Sequence, residues 1–170
     1  MIPGAKFGVA AGLTGLGLLA GGIAMGLMAP GRATAASPIE ALAGYWSGTG
    51  SVSLTSGKTE RVKCAVTYKV SGGGAQIKQS MRCASQDYTI NSAADLRVHG
   101  SNVTGSWEER TYSATGQVTG RYSGNNFNLN IKGGNFTAAM QLNTSDCKQQ
   151  ISITPQGLEV SRITIGLAKC

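Results

Sequence analysis

The sequence is poor in the side chains that carry most enzymatic and metal chemistry. Its 170 residues include one histidine, His99, beside a predicted turn, and only 14% are charged. No G-x-S-x-G, Ser-Lys or Cys-His pattern is present in which a neighbouring base would activate a nucleophile. Glu108 and Glu109 are adjacent, so on a strand they point to opposite faces and form no carboxylate pair. These absences predict a protein that is not an enzyme and that uses no metal or other cofactor.

Long runs of charge of one sign are also absent. The formal net charge is +7, from 15 basic and 8 acidic residues, and 13 basic residues remain without Lys6 and Arg32 near the N-terminus. The basic residues are scattered over outward strand positions, with no interleaved aromatic ladder of the kind that binds nucleic acid. The pattern is typical of a soluble sheet surface and predicts no nucleic-acid partner. Contact with a cell-envelope surface is the alternative.

Residues 1–35 are interpreted as a signal peptide. Lys6 precedes an apolar, glycine-rich run over residues 7–29, and Ala33-Thr34-Ala35 has the small-x-small pattern that a signal peptidase needs. The run of about 23 residues is long enough to cross a bilayer, so a retained membrane anchor is the alternative. Cleavage near Ala35 predicts a periplasmic or secreted protein. Residues 36–43 then form a short linker, and residues 44–170 form a single β-barrel domain.

Residues 62–83 show the clearest local pattern in the chain. Apolar side chains recur at every second position on both sides of Ser71-Gly72-Gly73-Gly74, which predicts two half-buried strands. A two-residue turn at Gly73-Gly74 sets the register as Val70 with Ile77, Tyr68 with Gln79, Val66 with Met81 and Cys64 with Cys83. In that register the two cysteine Cα atoms lie roughly 5.5 Å apart, within the range of a disulfide. We therefore predict a hairpin linked by Cys64–Cys83.

Cys147 and Cys170 are the remaining pair among the four cysteines. An exported chain enters an oxidising compartment, where disulfides persist. However, a loop at residues 143–146 would place Cys147 opposite Ile163 or Thr164, so that Cys170 lies about six residues, or roughly 20 Å, further along. The tail would have to fold back for a disulfide to form. A free or intermolecular thiol at Cys170 is the alternative.

The rest of the chain predicts further strands joined by short turns. Short strands are expected at residues 88–90 and 96–99, with later turns at Asn125-Asn126 and Gly133-Gly134. A change of phase near the end predicts a β-bulge at Ser161-Arg162. Strands with one apolar face either pack as two sheets or close on themselves, and closure removes the exposed edges. The predicted fold is an all-β, antiparallel up-and-down meander that closes as a barrel of about eight to ten strands, with a β-sandwich as the alternative.

Three short motifs resemble one family of barrels. Gly44-Tyr45-Trp46 resembles the G-x-W entry of lipocalins and related calycins, while residues 104–107 (T-G-S-W) and 119–121 (T-G-R) resemble the avidin end of the same group. The resemblance covers residues 44–169 in pattern, and the chain is also similar to uncharacterised exported bacterial β-barrel proteins. In lipocalins an arginine of the last strand covers the tryptophan at the barrel floor. The resemblance therefore implies that Arg162 covers Trp46.

The predicted interior is lined by apolar side chains, and a barrel of about eight strands is wide enough to hold one small ligand. The leading hypothesis is an exported, lipocalin-like barrel that binds a small apolar or amphipathic molecule without catalysis. Its predicted ligand-binding residues are Trp46, Tyr68, Trp107, Tyr122 and Arg162. The alternative hypothesis is a structural or interaction protein of the bacterial cell envelope, with a filled barrel and an unknown protein partner.

Overall fold

The structure of the protein, a computed structural model, describes residues 37–170. The predicted signal peptide at residues 1–35, and the membrane anchor that was its alternative, lie outside the described residues. Within residues 37–170, no helix is long and apolar enough to span a membrane.

Ten antiparallel strands form one closed barrel. Each strand pairs with the next along the chain, and the first pairs with the last. The strands are β1 (Gly44–Leu54), β2 (Thr59–Ser71), β3 (Gln76–Ala84), β4 (Thr89–His99), β5 (Asn102–Glu109), β6 (Ala114–Ser123), β7 (Asn126–Lys132), β8 (Thr137–Ser145), β9 (Lys148–Gln156) and β10 (Val160–Ala168). The predicted all-β barrel is confirmed, and the sandwich alternative is wrong because no sheet edge is left open.

The β2–β3 hairpin has the predicted register. Val70 pairs with Ile77, and Cys64 pairs with Cys83. The turn is closed by a hydrogen bond of 3.2 Å from the Ala75 N–H to the Gly72 carbonyl. Gly73 and Gly74 have φ values of 64° and 95°, in the left-handed region that glycine enters without strain. Local alternation and two glycines were therefore sufficient to define this hairpin.

The registers of the β6–β7 and β7–β8 hairpins differ from the predicted ones by two residues. The β6–β7 turn is Gly124-Asn125, so Tyr122 pairs with Phe127. The β7–β8 connection takes four residues, 133–136, so Ile131 pairs with Ala138. A slip of two residues keeps every inward side chain inward, and the alternation of apolar residues does not detect it. Residues 89–99 likewise form one strand, β4, where two short strands were predicted.

The β8–β9 turn brings the last two cysteines together. Ser145 pairs with Lys148, so the turn is Asp146-Cys147 and the predicted four-residue loop is wrong. Lys148 pairs with Ala168 on β10, and the Lys169 N–H donates to the Cys147 carbonyl at 3.1 Å. The structure joins Cys147 to Cys170, with Cα atoms 5.4 Å apart, and it also joins Cys64 to Cys83, with Cα atoms 4.1 Å apart. The C-terminal tail therefore reaches Cys147 without folding back along β10.

The two ends of the barrel differ. At one end, which we call the floor, β1 begins and β10 ends; a 3-10 turn at Glu40–Leu42 covers it and buries Leu42 against Trp46. At the other end, the mouth, lie the connections at residues 55–58, 85–88, 110–113, 133–136 and 157–159. The predicted bulge is present near the mouth, because Ser53 pairs with Arg162 and Leu54 with Val160, which leaves Ser161 as the extra residue.

Candidate functional site

The mouth half of the barrel encloses an apolar cavity of about 420 Å³, which is within the usual range of ligand pockets. Its walls include Val62, Met81, Trp107, Phe136 and Ile163. A smaller cavity of about 80 Å³ lies deeper, towards the floor, and shares Met81 and Trp107 with the first. The barrel is therefore not completely filled, contrary to the filled barrel of the alternative hypothesis.

The cavity exists because small side chains face inward where the barrel needs large ones to fill it. Ser92 on β4, Ala114 on β6 and Ala138 on β8 all line the mouth half. Alternation on the strands fixes their inward direction, so the volume that larger side chains would take is left open.

The floor half is packed around a buried polar chain of three residues. The Tyr68 hydroxyl donates to Gln149 Oε1 at 2.9 Å, and Gln149 Nε2 donates to Thr144 Oγ1 at 3.3 Å. Burial raises the pKa of the Tyr68 hydroxyl far above its ordinary value, against a smaller lowering by the Gln149 hydrogen bond, so the group stays neutral. Each of these buried polar groups has a partner, and the bottom of the cavity is a neutral surface.

Glu109 is the ionisable carboxylate in the cavity wall near the mouth. Oε1 accepts from the backbone N–H groups of Asn91 and Thr111 at 2.8 and 3.0 Å, and Oε2 accepts from that of Tyr112 at 2.6 Å. Burial acts to raise the pKa of Glu109, but these hydrogen bonds outweigh it and the pKa lies below its ordinary value. The carboxylate therefore stays charged and holds the loop at residues 110–113.

Two buried side-chain oxygens in residues 37–170 make no hydrogen bond, Glu60 Oε1 and Ser92 Oγ. Glu60 Oε1 lies 2.6 Å from Lys58 Nζ in an ion pair, whereas the Ser92 hydroxyl has no partner. The residue is 5% exposed, and Oγ makes no hydrogen bond within the part of the chain that the structure describes. It lies on β4 between Met81 of β3 and Glu109 of β5, and it lines both cavities. An unpaired buried hydroxyl is destabilising, so this group is available to a partner that enters the cavity.

The mouth carries exposed apolar side chains that also line the cavity. Tyr112 is 61% exposed and Leu158 is 40% exposed. Both lie on connections between strands rather than in the barrel wall. They form an apolar rim at the mouth of the cavity.

The structure brings two of the predicted binding residues to the cavities. Trp107 lines both, and its ring makes an edge-to-face contact with Phe136, with centroids 5.7 Å apart. Tyr68 lines the deeper cavity. Tyr122 instead lies near the floor, in contact with Phe127 at 4.7 Å between ring centroids. Trp46 is fully buried beneath the interior, and its Nε1–H donates to the Leu42 carbonyl at 2.7 Å.

The cation over Trp46 is not Arg162. Lys169 Nζ lies 4.9 Å from the centroid of the Trp46 ring, in the position that the family resemblance assigned to an arginine. Arg162 pairs with Ser53 near the mouth end of β1, whereas Trp46 lies at the floor end, and the Arg162 side chain is exposed on the outer surface. The family resemblance placed the cation on the last strand; the structure places it in the tail just after that strand.

Sequence reasoning missed Ser92. The signal was present as alternation through Ile90, Ser92, Ala94 and Leu96, which places a serine on an otherwise apolar inward face. Dividing this stretch into two strands at residues 88–90 and 96–99 hid the alternation. A single polar residue on the otherwise apolar, buried face of a strand is the sequence pattern that identifies a candidate binding residue of this kind.

Comparison with known proteins supports the fold. No family model matches the chain, and no curated protein matches it. Two solved structures are similar. Rv2717c from M. tuberculosis has a TM-score of 0.66 and 13% identity, over 78% of this chain and 94% of that chain. The S-type phycobiliprotein lyase CPES from Guillardia theta has a TM-score of 0.56 and 10% identity, over 78% of this chain and 90% of that chain. At these identities the likeness shows a shared barrel fold and no more.

The prediction that the protein is not an enzyme is overturned by this comparison. One protein of similar fold is a lyase, so the architecture does not exclude catalysis. The prediction had counted only activated nucleophiles, bases and metal ligands. Holding a reactant in a productive geometry also accelerates a reaction, and it leaves no sequence motif of that kind.

The two disulfides indicate the redox environment of the protein. Cys64–Cys83 and Cys147–Cys170 together use all four cysteines of the chain. Disulfides of this kind persist in oxidising compartments and are rare in reducing ones.

Proposed function

We propose that this protein binds a small apolar or amphipathic molecule inside the mouth half of the barrel. The observation that carries the proposal is the cavity of about 420 Å³, with its apolar walls and the exposed rim residues Tyr112 and Leu158. Transfer of apolar surface from water into such a cavity stabilises a complex by roughly 25 cal/mol per Å². A preformed cavity adds to affinity because little of the wall needs to be ordered on binding.

Within the proposed complex, Trp107 and Phe136 supply the flat aromatic wall. Their edge-to-face contact holds both rings in place before a ligand arrives. Met81 lies on the neighbouring wall and adapts to irregular ligand shapes. Tyr68 closes the bottom of the deeper cavity as a neutral group whose hydroxyl is already paired.

We further propose that the protein acts outside the cytoplasm, in the periplasm or after secretion. The signal-peptide pattern of residues 1–35 supports this proposal, as do the two disulfides. Cleavage near Ala35 would leave the barrel with a short N-terminal segment that leads into the 3-10 turn of the floor.

Native mass spectrometry of the protein purified from its own host tests these proposals together. We expect a discrete added mass under gentle conditions that disappears on denaturation. We also expect a polypeptide mass that corresponds to cleavage near Ala35 and to two disulfides. The binding proposal would be contradicted if the protein carried no added mass under gentle conditions and the purified barrel bound no neutral apolar probe. An uncleaved N-terminus together with four free thiols would contradict only the export proposal.

A further inference from the structure

The chemical class of the ligand follows from the polar groups that face the cavity, and this inference rests on the proposed function. We propose that the ligand is an uncharged, elongated apolar molecule with one hydrogen-bonding oxygen, such as a long-chain alcohol or carbonyl compound, and that this oxygen pairs with Ser92 Oγ.

The position of Ser92 along the cavity identifies where a polar group of the ligand would lie. Ser92 lines both the larger cavity of the mouth half and the smaller, deeper one. Its neighbours across the sheet, Met81 and Glu109, supply no hydrogen bond to Oγ. A ligand oxygen at this depth would hydrogen-bond to the Ser92 hydroxyl, which has no partner in the protein. The rest of the ligand would extend along the apolar walls towards the mouth and towards the floor.

The charge of the cavity wall restricts the ligand class further. No lysine or arginine is among the residues that line either cavity in the described chain, and Glu109 is the one charged group that does. A carboxylate ligand would lose its hydration on entering the cavity and would find no positive side chain there to replace it. It would also approach the negative charge of Glu109.

A cationic ligand is also disfavoured, because the Glu109 carboxylate is already held by three backbone N–H donors. These donors already share its negative charge, so the attraction to an ammonium group only partly offsets the hydration that the ammonium loses in the apolar cavity. Uncharged ligands avoid both penalties.

Four probes with the same carbon chain test the class: decane, decanol, decanoate and decylammonium. Each is titrated at pH 7 against bound anilinonaphthalene, a neutral fluorophore that accepts energy from tryptophan, in the wild-type protein and two variants. Ser92→Ala removes the buried hydroxyl. Ser80→Ala removes a hydroxyl from the exposed face of the adjacent strand β3 and serves as the matched control.

We expect decanol to bind the wild-type protein and the Ser80→Ala variant equally, and to bind the Ser92→Ala variant about fivefold more weakly. Decane binding should be the same in all three proteins, and both charged probes should bind at least about tenfold more weakly than decanol. Ser92→Thr, which keeps the hydroxyl, should retain at least part of the decanol affinity that Ser92→Ala loses. Without ligand, Ser92→Ala should unfold no earlier than the wild type, because it loses only an unpaired group.

Unchanged decanol affinity in Ser92→Ala, or equal binding of a charged probe, would overturn the ligand class while decane binding still supports the proposed function. Failure of anilinonaphthalene and decane to bind at all would overturn both proposals.

Discussion

Lys169 Nζ lies 4.9 Å from the centroid of the Trp46 ring and also donates hydrogen bonds to the carbonyls of Ala41 and Ala43. Trp46 in turn donates from Nε1 to the Leu42 carbonyl. One residue from each end of the barrel domain therefore holds the same 3-10 turn. Reciprocal hydrogen bonds between Ser37 and Glu40 cap the start of the turn, and the Trp46 and Lys169 contacts hold it across the floor.

Replacing Lys169 with Met should loosen the floor while keeping most of the side-chain stem. The variant loses the cation over Trp46 and the donor to two carbonyls, so the free energy of unfolding should fall by about 1 kcal/mol. Urea unfolding followed by tryptophan fluorescence measures the change. Lys148→Met, on the exposed face of β9, is the matched control. Equal stability of the two variants would show that Lys169 is not a floor contact.

The Cys147–Cys170 disulfide should stabilise the barrel about as much as Cys64–Cys83 does. The paired residues are separated by 23 and 19 positions, and the entropy of closing loops of such similar length differs little. Replacing both cysteines of either pair with serine should lower the free energy of unfolding by about 3 kcal/mol. Urea unfolding of the two double variants checks this value. A Cys147/Cys170 variant as stable as the wild type would argue that the tail is not fastened in solution.

Replacing Glu109 with Gln should destabilise the mouth loop at residues 110–113. An amide nitrogen repels one of the N–H donors that the carboxylate accepts, so the free energy of unfolding at pH 7 should fall by about 1–3 kcal/mol. Urea unfolding measures this loss. Glu108→Gln, which breaks only a solvent-exposed pair with Arg110, is the control and should cost well under 1 kcal/mol, roughly what an exposed pair contributes.

The same carboxylate predicts a specific pH dependence. Because the pKa of Glu109 is lower in the folded protein than its ordinary value of 4.5, its contribution to stability is complete above that pH. The contribution disappears as the pH falls through the folded-state pKa. Unfolding curves from pH 7 to pH 2 should therefore converge for the wild type and Glu109→Gln at the acid end. A difference that stays constant across this range would contradict the assignment.

Replacing Tyr68 with Phe should leave Gln149 Oε1 without its donor inside the floor half. The expected loss of stability is about 1–3 kcal/mol, the usual cost of an unsatisfied buried polar group. Tyr45→Phe removes the same hydroxyl from a side chain that is 61% exposed and should change stability by a few tenths of a kcal/mol at most. Thermal unfolding of the two variants compares these costs directly. Equal effects would show that the Tyr68–Gln149 hydrogen bond is not maintained.

The predictable part of this fold was the part set by local pattern. Alternating apolar residues and the Gly73-Gly74 turn specify the β2–β3 hairpin, including the pairing of Cys64 with Cys83. Closure into a barrel followed from the need to cover strand edges. The phase change at Ser161 also identified the bulge, because one extra residue moves all later side chains to the other face.

The rest depended on register, because alternation cannot distinguish registers that differ by an even number of residues. The β8–β9 turn is two residues long. This length places Cys147 beside Cys170, whereas a four-residue loop would have placed it opposite the middle of β10. In the same way, Lys169 reaches Trp46 only because β1 and β10 pair with a specific offset, which no motif encodes. The cavity was foreseen as one of two outcomes, but its size depends on three-dimensional packing of small inward residues such as Ala138.

Filling the cavity should abolish ligand binding, and this experiment tests most directly whether the binding site lies inside the barrel. Ala138→Phe places a ring inside the mouth half, while Ala139→Phe places the same ring on the exposed face of the same strand. With both variants shown to be folded by circular dichroism, titration with anilinonaphthalene measures binding to each. Ala138→Phe should weaken binding at least about tenfold, because the ring occupies the volume that a ligand needs, and Ala139→Phe should bind as the wild type does. Equal binding by the two variants would contradict a ligand site inside the barrel.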